Sequence, residues 1–331
     1  MIITKTPYRM SFLGGGTDYK PYFMEYGGSV ISTTIDKYCY ISARRLPPFF
    51  EHSIMAKYSL VEAVSNWDDI KHPSIRECLR YMNINDISIS HDGDLPARSG
   101  LGSSSAFTVG LLNALHVLKG EYCDSLSLAK EAIYVEQEMI GENVGVQDQI
   151  AVAVGGLNRI SFSAEGYKVR PIIISHERKQ QLENNLLLFF TGYTRIASDI
   201  AKEQIKNTHN KLRELHEMAS LVDEGEKILS SNAPLIEFGK LLDTSWKIKR
   251  GLTDLISTNA IDMMYSRALR AGAIGGKILG AGGGGFIVFY VEPDKQQVVR
   301  DELKDFLEIP FSFGQEGSVV AYYASEESNK R

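Results

Sequence analysis

A chain of 331 residues with 44% hydrophobic and 23% charged residues has ordinary globular composition and enough apolar material for two packed lobes. Its formal net charge of -5 and the lack of a dense Lys/Arg stripe argue against a nucleic-acid surface and leave small-molecule chemistry. Three cysteines without a CxxC pair fit a reducing compartment, and no run approaches the length of a membrane span, so a cytoplasmic protein with no membrane partner is expected.

The first residues carry Lys5, Pro7 and Arg9 before any long apolar run, which is not the form of a signal peptide. Residues 29–46 are rich in β-branched and aromatic side chains, and 87–90 reads as a short strand. Helical spacing of Phe107, Leu111, Leu112, Leu115 and Leu118 predicts a helix over 103–118, stopped by Gly120. A second helix is expected over 125–140, followed by the glycine-bearing segment GENVGVQDQ. Strand texture gives way to charged helix between 164 and 178, which divides the chain into lobes at 1–175 and 176–331. The second lobe reads as a strand, LLLFFTGY, then charged helices within 197–229, 234–255 and 260–272. A glycine run, the strand FIVFYV, a charged helix after Pro293 and a last strand, SVVAYYA, complete it. Strands interleaved with helices in both halves predict a two-lobed α/β or α+β protein.

The chemistry concentrates in LPARSGLGSSSAFTVGLL, residues 95–112, where a glycine- and serine-rich turn runs into an amphipathic helix. Gly100 and Gly102 let the backbone bend tightly, while first-turn N–H groups and the helix dipole point at negative charge. Ser103, Ser104 and Ser105 add hydroxyls for phosphate oxygens or a magnesium ion, although an ordinary capped helix shares part of this pattern. No GxxxxGK[ST] loop and no HRD or DFG motif is present, which disfavours P-loop and protein-kinase schemes. Residues 280–285 match GxGxxG but precede a strand instead of following one, so no dinucleotide site is expected. The seven histidines are scattered, with no HExxH and no Cys/His cluster at ligand spacing, so a metal is expected to arrive with the nucleotide. Glu136 and Asp148, downstream of the loop, are the natural carboxylates for phosphoryl transfer.

The pattern Pro96-x-x-x-Gly100-Leu101-Gly102-Ser103-Ser104 resembles the signature of the GHMP kinases, a family named for galactokinase, homoserine kinase, mevalonate kinase and phosphomevalonate kinase. EQEMIGENVGVQDQ resembles the galactokinase form of the family, and TPYRMSFLGGGTDY resembles its substrate-binding motif. The resemblance implies that ATP phosphates lie on Pro96, Gly100, Leu101, Gly102, Ser103, Ser104 and Ser105. Magnesium would be held by Ser104 and Glu136, with Glu138 and Glu142 as nearby substitutes. Asp148 would orient or deprotonate the substrate hydroxyl beside Arg9, and Asp18, with Gly15, Gly16 and Thr17, would grip sugar hydroxyls. Gly283 and Gly284 of the second glycine run would close on the substrate pocket.

Gly15 and Gly16 stand where galactokinase has an acidic residue and a histidine. FLGGGTDY, FTGYTRIASDI and KILGAGGGGFIVFY look like the branch that phosphorylates the anomeric hydroxyl of D-glycero-D-manno-heptose 7-phosphate. The implied partner is therefore a sugar phosphate, its distal phosphate held among Lys5, Arg44, Arg45, Arg98 and Arg195. Kinase activity on a free fucose- or galactose-like sugar is one alternative, and a non-catalytic sugar or nucleotide sensor is another, disfavoured by the joint presence of Ser104, Glu136 and Asp148. The implied fold pairs an N-terminal lobe like ribosomal protein S5 domain 2 with a ferredoxin-like α+β C-terminal lobe.

Overall fold

The computed structural model describes residues 1–97, 99–193 and 197–324. Strand β1 (Ile2–Leu13) pairs antiparallel with β2 (Gly28–Arg45), and the turn and short helix α1 (Lys20–Tyr26) between them carry the Gly14–Asp18 segment. Then follow β3 (Ile54–Lys57), β4 (Val61–Val64), helix α2 (Pro73–Met82) and β5 (Ile87–Gly93). Helix α3 (Ser103–Lys119) leads to α4 (Ser125–Tyr134), α5 (Gln147–Val154), and the hairpin of β6 (Asn158–Ser163) and β7 (Gly166–Pro171).

Beyond it lie α6 (His176–Asn184), β8 (Leu186–Phe190), α7 (Ala197–Asn207), α8 (Leu212–Leu229), α9 (Ile236–Arg250) and α10 (Asn259–Arg270). Strands β9 (Gly275–Ile278) and β10 (Phe286–Tyr290), helix α11 (Pro293–Glu302), and strands β11 (Leu307–Glu308) and β12 (Val319–Tyr323) complete the order.

Eight strands form the first sheet, in the order β12-β1-β2-β5-β3-β4, with β6 and β7 branching from β2. The branch follows from length: the 18 residues of β2 bond β6 along 28–32 and β5 along 39–45. Helix α3 packs on β1 and β2 so closely that a Cβ on Gly110 would lie 2.8 Å from Thr6 Oγ1, and buried Thr4 donates its hydroxyl to Gly110 O at 2.8 Å. Helix α8, from the second half, reaches the same strands through Gly225, which abuts Leu13 and Ile31. The second sheet, β11-β8-β10-β9, is antiparallel, and β10 is buried at every position, as the unbroken apolar run FIVFY requires. Its core gathers Trp246, Phe189, Phe289 and Tyr265. The whole is an α+β fold built on two sheets, as the interleaved strands and helices predicted.

Three elements differ from the sequence reading. The helix expected through residue 140 is α-helical only to Tyr134 and continues as a π-helical turn, Val135–Met139, the kind of turn often found at functional sites. GVQDQ enters helix α5, so Asp148 stands in a helical first turn. The last strand, grouped by sequence with the second lobe, pairs with β1 in the first sheet, because Thr6 and Asn113 draw Ser318 to that edge by hydrogen bonds of 2.8 and 3.0 Å.

Candidate active site

The glycine loop between β5 and α3 bends at Gly100 and Gly102, with φ of 80° and 73°, a region glycine enters without steric cost. Gly102 is the N-cap of α3 and no side chain caps that end, which suits an anionic ligand. Leu101 is fully buried and serves the loop through its carbonyl, which accepts Arg9 N–H at 2.9 Å. Ser104 is exposed, Ser103 half-buried and Ser105 buried, whereas Pro96 is exposed before the loop.

Arg9, buried in β1, brings the loop and a carboxylate together. Its Nε and Nη2 donate to Asp148 Oδ1 and Oδ2 at 2.7 and 2.6 Å, and its Nη1 donates to Gly100 O at 2.7 Å. The bidentate fork fixes the carboxylate plane, and Asp148 keeps 27% of its side chain exposed.

Glu136 is fully buried in the π-helical turn. Its Oε2 accepts from Ser105 Oγ at 3.1 Å and Gln149 Nε2 at 2.5 Å, while its Oε1 is buried with no hydrogen-bond partner. Burial pushes its carboxyl up to about 7, opposed by Thr108, Gln149 and Ser105 and reinforced by Glu142. An orphaned carboxylate oxygen beside a phosphate loop fits a divalent cation, whose charge would hold Glu136 ionised. The serine that touches Glu136 is Ser105, where the resemblance implied Ser104: successive helical residues point about 100° apart, so Ser105 faces inward and Ser104 outward. Glu138 lies on the surface, 3.6 Å from Lys20, which leaves Glu136 as the inward carboxylate of this turn.

In the turn that follows β1, Asp18 is buried and accepts Gly16 N–H on Oδ1 at 2.9 Å. Its Oδ2 lies where a Cβ on Gly145 would come within 1.8 Å, so residue 145 must be glycine for Asp18 to sit there. Burial raises the Asp18 carboxyl above the usual range, with Asp148 adding to the effect. Gly15 lies between Gln147 and Ser11, whose hydroxyl donates to Gln147 Oε1 at 2.7 Å. Thr17 spends its hydroxyl on Gly14 O and Ser29 O, at 2.8 and 3.1 Å, and thereby holds the turn.

The second glycine run stands on the first. A Cβ on Gly280 would lie 2.6 Å from Gly100 Cα, and one on Gly285 would lie 2.2 Å from Ser99 O. Gly283 and Gly284 instead meet the second lobe, Gly283 N–H donating to Ile256 O at 2.8 Å and Gly284 abutting Tyr193 O.

Sequence reasoning missed two buried lysines. Lys249, near the end of α9, donates to Gly280 O at 2.5 Å, and Lys277, in β9, donates to Ser11 O and Phe12 O at 2.8 and 2.9 Å. The signal for Lys277 was its place at the head of KILGAGGGG; Lys249 had none, since its helix carries several other cations.

Of the cations considered for a distal phosphate, the three that are described, Lys5, Arg44 and Arg45, are placed as follows. Lys5 lies 3.8 Å from the centre of the Tyr38 ring. Arg44 and Arg45 are ten and eleven residues along β2 from Thr34, the partner of Arg9, roughly 30 Å of strand. Arg98 and Arg195 lie outside the described residues. At the far end of α3 the fold gathers His116, Cys123 and Glu131, with ligand atoms within 4.8 Å, although no sequence spacing announced it. An ion pair accounts for that group, His116 Nε2 and Glu131 Oε2 being 2.6 Å apart.

The family model for the GHMP kinases N terminal domain matches residues 71–156, and that for the GHMP kinases C terminal region matches 232–309. A D-glycero-alpha-D-manno-heptose 7-phosphate kinase of Campylobacter jejuni is 31% identical, over 96% of this chain and 97% of that protein. A galactokinase of Pyrococcus furiosus is 26% identical, over 92% and 94%. Among solved structures, a D-glycero-D-manno-heptose 1-phosphate kinase from Bacteroides thetaiotaomicron superposes with a TM-score of 0.81 at 25% identity, covering 98% of this chain and all of its own. Similarity that runs the length of both chains, together with the two family models, makes this protein a member of the GHMP kinase family and a phosphotransferase that acts on a sugar hydroxyl.

Proposed function

We propose that the chain transfers the γ-phosphoryl group of ATP to the anomeric hydroxyl of D-glycero-D-manno-heptose 7-phosphate, giving the 1,7-bisphosphate. The name of the 31% identical Campylobacter relative supports the substrate, and Gly15 and Gly16, in place of the side chains expected of a galactokinase, point the same way. The observation that carries the reading is the Arg9 fork, which holds Asp148 and the phosphate loop on one guanidinium.

ATP phosphates lie on the loop from Gly100 to Ser105. Magnesium, when bound, neutralises phosphate charge, and Glu136 with the serine hydroxyls of the loop would hold it. Both Asp148 oxygens are engaged by Arg9, and a carboxylate has lone pairs left on each to receive the sugar hydroxyl. The sugar oxygen bonds to the γ-phosphorus as that phosphorus separates from the oxygen retained by ADP, and the hydroxyl proton passes to Asp148. Asp18, fixed by Gly16 and Gly145, grips neighbouring hydroxyls. The two lobes divide near residue 175. The free cysteines fit a reducing cytoplasm, and no helix among the described residues is long and apolar enough to cross a membrane.

The test is ADP release with magnesium across a panel of free and phosphorylated sugars. Turnover is expected to be highest with heptose 7-phosphate. Preference for free fucose or galactose would replace that substrate, and tight sugar binding with no ADP release would make the protein a sensor.

A further inference from the structure

Five ionisable groups from both lobes meet behind the phosphate loop: Arg9 of β1, Asp18 of the following turn, Asp148 of α5, Lys249 of α9 and Lys277 of β9. Nominally these are three cations and two carboxylates. Arg9 is committed to Asp148, and Asp18 is a buried acid supported by a backbone amide. Neither lysine touches a carboxylate in a salt bridge among the described residues; both donate to backbone carbonyls. Lys249 is 4% exposed and Lys277 1% exposed. An ammonium has three protons to donate, and Lys249 places one of them on Gly280 O. Buried lysines are rare without a counter-charge, and Gly280 rests directly on Gly100 of the loop.

We infer that Lys249 is an anion subsite that the second lobe presses against the phosphate loop, and that its ligand is a phosphate-type oxyanion, in the kinase the phosphoryl group under transfer. This identification of the oxyanion rests on the kinase reading above; the subsite itself rests on the charge arrangement. Lys249 reaches the loop only through packing of the two glycine runs, so the subsite exists only when the lobes are assembled. Burial lowers the Lys249 ammonium to about 8; Arg9 adds to the lowering, and Asp18 and Asp148 oppose it. Lys277 is held well below the usual lysine range by burial, with Lys249 and Arg9 contributing and Asp18 opposing. Lys249 is therefore charged below about pH 8, and its hold on an anion weakens as pH rises through that value.

The probe is sulfate, which does not change charge over the range, titrated calorimetrically into the full chain without sugar. The expected result is binding at pH 7 that weakens by about tenfold per pH unit above 8, is lost in Lys249→Met, and persists to higher pH in Lys249→Arg. In turnover, Lys249→Met should lower kcat by about 100-fold while the sugar KM stays within about threefold. No sulfate binding to the wild-type chain at pH 7, pH-independent binding, or a folded Lys249→Met protein with wild-type sulfate affinity or turnover would overturn the inference. Should Lys249→Met fail to fold, the pH dependence of the wild-type protein and of Lys249→Arg decides alone. A wild-type chain that binds sulfate in this manner but phosphorylates no sugar would sink the proposed function and leave the subsite standing.

Discussion

Arg9 and Asp148 face each other as a fork on a carboxylate, 2.7 and 2.6 Å apart at their two contacts, and the third side of the same guanidinium holds Gly100 O of the phosphate loop. Asp148 and the glycine loop therefore cannot move independently: a shift of either breaks a charge-assisted bond to a side chain that is 2% exposed. On the proposed reading, the arrangement sets the distance between phosphoryl donor and acceptor before either substrate binds.

Asp148→Asn tests the acceptor role. It keeps the shape and removes the charge that receives the hydroxyl proton, so kcat should fall by about 10² to 10⁴ while the sugar KM stays within about threefold. Steady-state kinetics measure this, and a kcat within twofold of wild type would refute the role.

Glu136→Gln tests the metal carboxylate through stability. The Glu136 carboxyl is raised from 4.5 to about 7 in the folded chain, so between those values the folded state keeps a proton that the unfolded state releases. Stability therefore falls as pH rises from 4.5 to 7, by on the order of 3 kcal/mol at most. The glutamine variant should lack that loss and, free of metal, exceed the wild type in urea melts at pH 8, yet gain nothing from magnesium and nucleotide. Equal melts at pH 8 would mean that Glu136 is not held protonated by its surroundings.

Gly145→Ala places a methyl group 1.8 Å from Asp18 Oδ2 and must displace that carboxylate. The sugar KM should rise by about tenfold or more with nucleotide affinity unchanged. An unaltered KM would remove Asp18 from the sugar site.

Gly280→Ala tests the contact between the glycine runs. Its Cβ would lie 2.6 Å from Gly100 Cα, at a φ of 73° that an alanine adopts only with strain. Nucleotide affinity, read by calorimetry with a non-hydrolysable ATP analogue, should weaken by about tenfold. Wild-type affinity in a variant with this methyl group would show that the loop does not lean on the second run.

No apolar run in the sequence approaches the length of a membrane helix, and the charge balance argued against a nucleic-acid partner. The order of turn residues and apolar spacing placed the glycine loop and helix α3, observed over Ser103–Lys119 against an expected 103–118. Such features are local: bent backbone needs glycine, and a buried helix face repeats every three or four residues. Glu136 and Asp148 were singled out by their place downstream of the glycine loop, whereas the roles assigned to them, and to Arg9 and Asp18, came only from a motif resemblance. Tertiary structure decided what depends on direction. It turned Ser105 inward in place of Ser104, ended α4 in a π-helical turn, and returned β12 to the first sheet. It also buried Lys249 and Lys277 beside residues far from them along the chain. One-dimensional spacing carries no record of which carbonyl a distant ammonium will meet, since that contact is set by how two lobes pack.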